Sequence, residues 1–476
     1  MNTLTIAWIA LPFFIGFSSY LLPRLDRMLA LGVALASLAY GLQHIVDPVP
    51  LTLQLLDRFG VTLTVDPLSG YFILTNAVVT AAVILYCWQQ GKTAFFYTQT
   101  IMLHGSVNAV FVCSDFITLY VALEVISVAA FLLIAYPRTD RSIWVALRYL
   151  FVSNTAMLFY LLGAVLVYQA NHSFAFSGLQ GAPTEAIALI FLGLLTKGGI
   201  FVSGLWLPLT HSESETPVSA LLSGSVVKAG VFPLVRFALM MEEIAPFVRF
   251  FGLGTALLGV SYAVFEKDTK RMLAFHTVSQ LGFVLAAPVV SGFYALTHGL
   301  VKSALFLIAG SLPSRNIKEL KHQPIYLPVW MALAIASFSI AGLPLLAGFG
   351  AKVLTMKNLA PWQIIGMNLA AVGTAISFAK FIFLPWGGQV KTPKPGFWPA
   401  IILLLAGLFA ANAFYFKAYT LANIVKSLIT IGLGWMAYFV IFQRAAIKLP
   451  RVMERFDHLI GVMSLMLILL FGMVLA

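Results

Sequence analysis

The chain has 476 residues, of which 61% are hydrophobic and only 10% charged, and its mean hydropathy is +0.95. Soluble domains are about 45–50% apolar and about 25% charged, so the composition excludes an ordinary soluble protein. A net charge of +12 and a pI of 9.6 would suit a nucleic-acid partner, but the cations sit in short loops between apolar runs, which argues against that class.

Runs of about 20 apolar residues, long enough to cross a hydrocarbon core as helix, follow one another along the whole chain. The first, 3–21, has no basic n-region and no small-residue cleavage site, and reads as a retained span. After it come 27–45, 66–88, 93–113, 115–136, 143–169, 186–208, 217–240, 246–265, 272–290, 292–312, 327–350, 361–386, 397–416, 420–441 and 457–475, sixteen in all. The expected fold is an all-α polytopic membrane protein of about 14–16 transmembrane helices.

Loop charge tests that count. The odd-numbered loops hold Arg24, Arg27, Lys92, Arg138, Arg141, Lys267, Lys270, Arg271, Arg315, Lys318, Lys321, Lys391, Lys394, Arg444, Lys448, Arg451 and Arg455, and the even-numbered loops only Arg58, Arg249, Lys357 and Lys417. A miscounted span in the middle would scramble this 17-to-4 bias. Positive-inside orientation then places the odd loops in the cytoplasm and both termini outside.

Within the spans, polar groups are few. Glu124, in DFITLYVALEVISVAAFLLIAY, is the one carboxylate inside an apolar span. A charge at mid-bilayer costs about 2.5–3.5 kcal/mol, so such residues are functional by default. Lys197, Lys228 and Lys302 lie too deep in their spans to snorkel easily. His298 and Lys302 are four residues apart and share a helix face. His276, near a span start, and Lys380, in an apolar span, are secondary candidates with an interfacial reading beside the relay one. His104 stands alone in the fourth span, which suits packing, and Arg148 and Arg236 suit anchoring because arginine stays protonated. Buried amines and carboxyls favour their neutral forms, and an ion pair reverses that preference. A line of such groups, bridged by water, passes protons according to whether the pair is closed or open.

Two spans carry residues that weaken a helix beside a lysine. Gly198, Gly199 and Gly204 follow Lys197, and Gly342, Pro344, Gly348 and Gly350 precede Lys352. Interrupted helices in corresponding halves mark transporter sites, since unwound backbone at membrane depth is tolerated only where it lines a cavity. They suggest a repeat of spans 4–8 in spans 9–13. The resulting parts are 1–92, 93–240, 246–386 and 387–476. No phosphate-binding glycine loop or defensible haem histidine pair is present. Cys87 and Cys113 are isolated, without the spacing of iron–sulfur or zinc sites. No cofactor, metal or catalytic residue is expected, and the energy must come from an ion gradient or from partner subunits.

At these residues the chain resembles the antiporter-like membrane subunits shared by respiratory complex I and Mrp-type multisubunit cation/proton antiporters. The likeness covers roughly 60–385. It runs through the Glu124 segment, LLTKGGIFVSGLWLPLTHSESETPVSALLSGSVVKAGVFPLVR, EKDTKRMLAFHTVSQLGF, ALTHGLVKSALFLIAGS and AGLPLLAGFGAK, in the family's order. The resemblance implies two inverted five-helix repeats, each with a broken helix. It matches Glu124 to the glutamate of the fifth helix and Lys197 to the lysine that pairs with it on the broken seventh. Lys228 matches the lysine of the eighth helix, His298 and Lys302 the central polar pair, and Lys352 the terminal group on the broken twelfth. Three departures stand out: Val202 replaces a usual proline, Gly204 a frequent histidine, and Leu345 the second proline after Pro344.

The resemblance implies a multi-pass protein of a prokaryotic cell membrane or an energy-coupling internal membrane, in a complex with other membrane subunits. Two readings compete. In the first, the chain is the D-like subunit of an antiporter exchanging H+ for a monovalent cation, Na+ above all. In the second, it is a non-redox, proton-pumping subunit of a complex I-type NAD(P)H-quinone oxidoreductase. Lys352 and the compact loops favour the first. A stand-alone solute symporter lacks a pocket signature here, and a pure scaffold would not need embedded titratable groups.

Overall fold

The computed structural model of the chain describes residues 2–56, 60–387, 393–444, 447 and 449–475. Three of the counted loop cations, Arg58, Lys391 and Lys448, lie outside them. In chain order the helices are α1 (Asn2–Leu21), α2 (Asp26–Val46), α3 (Pro67–Cys87), α4 (Ala94–Val112), α5 (Phe116–Ile134), α6 (Asp140–Asn171) and α7 (Thr184–Gly198). Next come α8 (Leu207–Glu213), α9 (Thr216–Leu221), α10 (Val227–Met240), α11 (Ala245–Phe265), α12 (Thr269–Ala286), α13 (Ser291–Ala309) and α14 (Ile317–Leu320). The last are α15 (Leu327–Ala341), α16 (Ala347–Lys357), α17 (Ile364–Ile382), α18 (Phe397–Asn412), α19 (Leu421–Ala437) and α20 (Phe456–Leu475). Between α2 and α3 a short antiparallel hairpin pairs β1 (Leu51–Gln54) with β2 (Thr62–Val65).

Side chains at the helix starts explain several boundaries. Asp66 caps α3 ahead of Pro67, a residue suited to a first turn because it has no N–H to leave unpaired. Asp115 accepts the Thr118 N–H at 2.7 Å and also the Thr62 N–H at 2.9 Å, so one carboxylate starts α5 and holds the hairpin. Thr139 and Ser142 form a reciprocal box at the start of α6.

All sixteen expected spans are helical, and the chain is a polytopic all-α membrane protein. Among the described residues, 13 helices are long and apolar enough to cross a membrane. They include Leu421–Phe442 and Phe456–Met473, the last two expected segments. The three other segments fall short for physical reasons. In α4, Gln99, His104, Ser106 and Asn108 dilute the apolar content. In α12 the TKR start and a polar row do the same. The twelfth segment is cut into α15 and α16. Every residue of α12 and α13 is buried, so protein rather than lipid surrounds their polar groups. By contrast, α1, α19 and α20 lie at the periphery.

The loops sort by parity as the charge count requires. Arg27 of loop 1 donates to the Trp88 carbonyl at the end of span 3, and Lys92 of loop 3 pairs with Glu215 of loop 7 at 2.7 Å. Arg141 of loop 5 and Arg315 of loop 11 both reach Glu213, and Arg451 of loop 15 reaches Glu266 of loop 9. On the other face, Arg236 pairs with Asp66, and Arg249 donates to the Asn358 carbonyl. Odd loops thus gather at one end of the bundle and even loops at the other.

The last two helices part company. Helix α19 packs on α17, whereas α20 packs on α7 and the segment Phe201–Trp206 after it. Between them, both carboxylate oxygens of Glu454 accept from Arg271 Nη2, at 2.9 and 2.8 Å.

Candidate functional site

The seventh span breaks directly after Lys197. Helix α7 ends at Gly198, Gly199 adopts φ +71°, Ile200 is extended, and the chain re-enters as a 3-10 turn over Phe201–Trp206. The exposed backbone is re-satisfied locally: Trp206 Nε1 donates to the Thr196 carbonyl at 2.8 Å, and Thr255 Oγ1 accepts the Phe201 N–H at 2.9 Å. Glycines make the break without the family's proline. A Cβ on Gly230 would lie 2.2 Å from the Gly198 nitrogen, so α10 can approach the broken end of α7 only as glycine.

Lys197 is buried and donates to the Leu123 carbonyl at 3.0 Å, to Ser153 Oγ at 2.6 Å and to Ser127 Oγ. The expected partner, Glu124, is not among these contacts, and no ion pair joins it to Lys197 among the described residues. Its Oε1 is buried without a partner among the described residues. Two serines on α5 and α6 therefore hold the ammonium next to the glutamate rather than on it. Tyr149, whose ring centre is 5.9 Å from the ammonium, has a buried hydroxyl near Ser153, one of the two serines that hold Lys197.

Lys228 sits just past a π-helical turn, Leu222–Val226. Such a turn withdraws carbonyls from the usual helical ladder. Lys228 Nζ takes two of them, Ser223 at 3.1 Å and Gly224 at 2.6 Å. Gly299 lets α13 lie against this turn, since a Cβ there would be 2.3 Å from Thr75 Cγ2 and 3.0 Å from the Gly224 carbonyl oxygen. Lys302, one turn beyond His298, donates to the Leu273 carbonyl at 2.5 Å. On facing α12, Thr277 shares a 2.8 Å hydrogen bond with Ser223, and the neighbouring His276 ring lies edge-on to Phe378 with centroids 4.6 Å apart. His211 is buried with its ring near the Leu207 and Leu222 backbone, and the ring nitrogens of His276 and His298 are buried with no hydrogen bond to another of the described residues.

A small cavity of about 10 Å³ joins His298 to Lys352, with Gln280, Tyr294 and Thr297 in its wall. The Tyr294 hydroxyl donates to Gln280 at 2.6 Å. Lys352 itself donates to the Ala341 carbonyl at 3.0 Å, which is freed where α15 stops at Gly342, φ +92°. On its other side Lys352 borders a cavity of about 110 Å³ between α16, α17 and α19, lined also by Asn368, Asn423, Lys426, Ser427 and Thr430. Lys352 thus stands between an inner and an outer space.

Lys380 is placed differently. It donates to the carbonyls of Ala263 at 3.0 Å and Glu266 at 2.8 Å, which caps the end of α11 at the odd-loop face. His104 is satisfied by Thr80, Ser37 and Asn108, as packing requires. Ser127, Ser153, His211, Gln280 and Tyr294 were not legible as site residues, because none is unusual in its own helix; only the fold brings them to the lysines and histidines. No metal-binding cluster of His, Cys, Asp or Glu occurs among the described residues.

A family model described as NADH:quinone oxidoreductase/Mrp antiporter, TM, matches residues 113–377. The chain belongs to that family. As an NADH:quinone oxidoreductase/Mrp antiporter member it resembles both branches almost equally. It is 29% identical to the N subunit of the NADH-quinone oxidoreductase of Desulforudis audaxviator, over 80% of this chain and 85% of that one. It is 27% identical to the D subunit of the Na(+)/H(+) antiporter of Alkalihalophilus pseudofirmus, over 83% and 89%. The fold matches a chain of the Mrp complex from Dietzia with TM-score 0.77 and 23% identity, over 97% of this chain and 59% of that one. It also matches a chain of the archaeal membrane-bound sulfane sulfur reductase with TM-score 0.76 and 20% identity, over 91% and 98%. The chain is accordingly an antiporter-like proton-translocating subunit of the kind that works beside other membrane subunits. Seven of the eight candidates, from Glu124 to Lys352, fall inside the matched core, and Lys380 falls just beyond it.

Proposed function

We propose that this chain is the D-like proton-translocating subunit of a multisubunit cation (Na+)/proton antiporter in a prokaryotic cell membrane. Protons move along Lys197, Lys228, Lys302, His298 and Lys352, with Glu124 setting the charge state at the head of the line. His276 lies beside the line, and Lys380 marks its approach from the odd-loop face. The observation that carries this reading is the run of buried amines and imidazoles whose polar atoms face carbonyls, hydroxyls or no protein group at all. Buried polar groups that find no protein partner are usually matched by ordered water, and water between the amines is what this reading requires for a proton to pass.

Glu124 and Lys197 then act as a switch. With the ammonium on Ser127 and Ser153 the pair is open; its movement onto Glu124 closes it and alters the hold on the proton further along. The two left-handed glycines that end α7 and α15, Gly199 and Gly342, support reading 93–240 and 246–386 as inverted repeats with matching breaks. The 29% identity to an oxidoreductase N subunit supports a second reading, a proton-pumping subunit of a complex I-type oxidoreductase. Co-purified subunits separate the two: small antiporter subunits favour the first, redox subunits the second. The proton line itself is tested by Glu124→Gln and Lys197→Ala in inverted vesicles. Each should lower proton-coupled transport by roughly 10²-fold or more at normal membrane levels. Unchanged transport in both removes the switch.

A further inference from the structure

We infer that the groove between α6 and α20 is a binding site for one anionic phospholipid, with its phosphate on Arg148. The groove holds about 590 Å³ and is walled by Trp144, Leu147, Arg148, Phe151, Leu158 and Phe456. Arg148 is only 5% exposed. Its Nη2 donates to the Glu454 carbonyl, but Nε and Nη1 are buried with no partner among the described residues. A guanidinium offers a planar set of five N–H donors, and leaving two of its nitrogens unpaired in an apolar wall is costly. The Glu454 carboxylate lies near enough to attract it but makes its hydrogen bonds to Arg271, so it leaves Nε and Nη1 of Arg148 unbonded.

The depth suits a lipid headgroup. Helix α6 has 32 residues, about 48 Å of length, against a hydrocarbon core of about 30 Å. With the excess shared, roughly six residues project at each end. Arg148 is the ninth residue of α6, so it lies within about one helical turn of the boundary. Trp144, one turn nearer the odd-loop end, is an interfacial residue by type. Arg141 lies 5.2 Å over its ring, and the exposed Arg455 precedes Phe456 at the same rim. Below Arg148 the wall turns to the exposed, apolar Phe151 and Leu158, with Asn154 and Thr155 as the polar groups between them. That sequence of cation, aromatic belt and mainly apolar trough fits a phosphate with two acyl chains beneath it.

A neighbouring helix fits less well. Most of its backbone acceptors are consumed internally, so it would have to bring a side-chain oxygen or a carbonyl freed at its end to Arg148. A phosphate supplies several anionic acceptor oxygens directly, which suits a guanidinium with unpaired N–H groups.

The test uses the complex as purified from membranes containing phosphatidylglycerol, stripped with mild detergent and weighed by native mass spectrometry. The expected result is one phosphatidylglycerol retained on this chain, in preference to phosphatidylcholine. Arg148→Gln should lower that retention roughly tenfold. Leu158→Trp, which fills the trough and leaves the arginine in place, should do the same and guards against a misfolded arginine variant. Equal retention in the wild type and Leu158→Trp, or no preference for the anionic lipid, overturns the proposal. So does a photo-crosslinker at Leu147 that captures a neighbouring subunit instead of lipid.

Discussion

Lys197 donates to the carbonyl of Leu123, the residue directly before Glu124, while the Glu124 carboxylate itself stays unbonded at Oε1. The acid and the amine are neighbours held apart by hydroxyl groups. Ser127 and Ser153 also share a 3.0 Å hydrogen bond, so they form a seat for the ammonium before it moves.

That seat is testable. Replacing both serines by alanine removes two of the three acceptors of a buried ammonium. The double variant Ser127→Ala/Ser153→Ala should lose about 1–3 kcal/mol of stability, measured as a lower midpoint of thermal unfolding in detergent. Glu124→Gln in that background should cost further stability if the freed ammonium has turned to the carboxylate. Additive behaviour of the three substitutions would mean that the amine never reaches Glu124.

The contact between α7 and α10 gives a second expectation. Gly230→Ala places a methyl 2.2 Å from backbone at Gly198, where no side chain can move aside. It should destabilise by roughly 1–3 kcal/mol and reduce transport with it. Gly432→Ala on α19 meets nothing within 4 Å and should be neutral or gain up to about 1 kcal/mol. The two variants are compared by thermal melting of the purified protein.

Acid should weaken the odd-loop face through Glu266. Burial alone would raise its carboxyl, but the backbone N–H groups of Lys267 and Asp268 and the nearby Arg271 and Arg451 hold it below the ordinary value. A carboxyl lowered in the folded state stabilises fully above its unfolded value, about 4.3, and that contribution is lost as pH falls through the folded value. Wild type should therefore melt higher than Glu266→Gln at about pH 6, with the gap narrowing as pH falls below the unfolded carboxyl value of about 4.3. A gap that does not change with pH would contradict the assignment.

Thr430 lines the outer cavity beside Lys352. Thr430→Cys should react with a small water-soluble thiol reagent, and the adduct should slow transport. The background is low, because the native Cys87 and Cys113 are both buried. Ile468→Cys, on the apolar face of α20 where Ile468 is 70% exposed, should stay unlabelled in the membrane. Labelling at Ile468 but not at Thr430 would show that the cavity is closed to water.

Much of this was legible in the sequence, and the limit has a physical origin. Span length and loop charge are carried by many residues at once, so all sixteen segments and their alternation were readable. The break after Lys197 was readable too, since Gly198 and Gly199 weaken a helix whether or not a proline follows. What could not be read is who sits opposite whom. Ser127 and Ser153 are ordinary residues of apolar helices, 26 positions apart. The π-turn that frees carbonyls for Lys228 leaves only the unremarked string LSGSV. The packing of α20 on α7 has no signal at all, because a helix that is apolar on every side past its first turn bears no mark of the neighbour it will choose.

That last contact bears on how the protein is made. The span holding Lys197 leaves the ribosome early, yet α20, which covers it, is translated long afterwards. In the interval the interrupted backbone waits in the bilayer without its mate. A truncation just before Phe456 would therefore injure a segment encoded far upstream of the lesion.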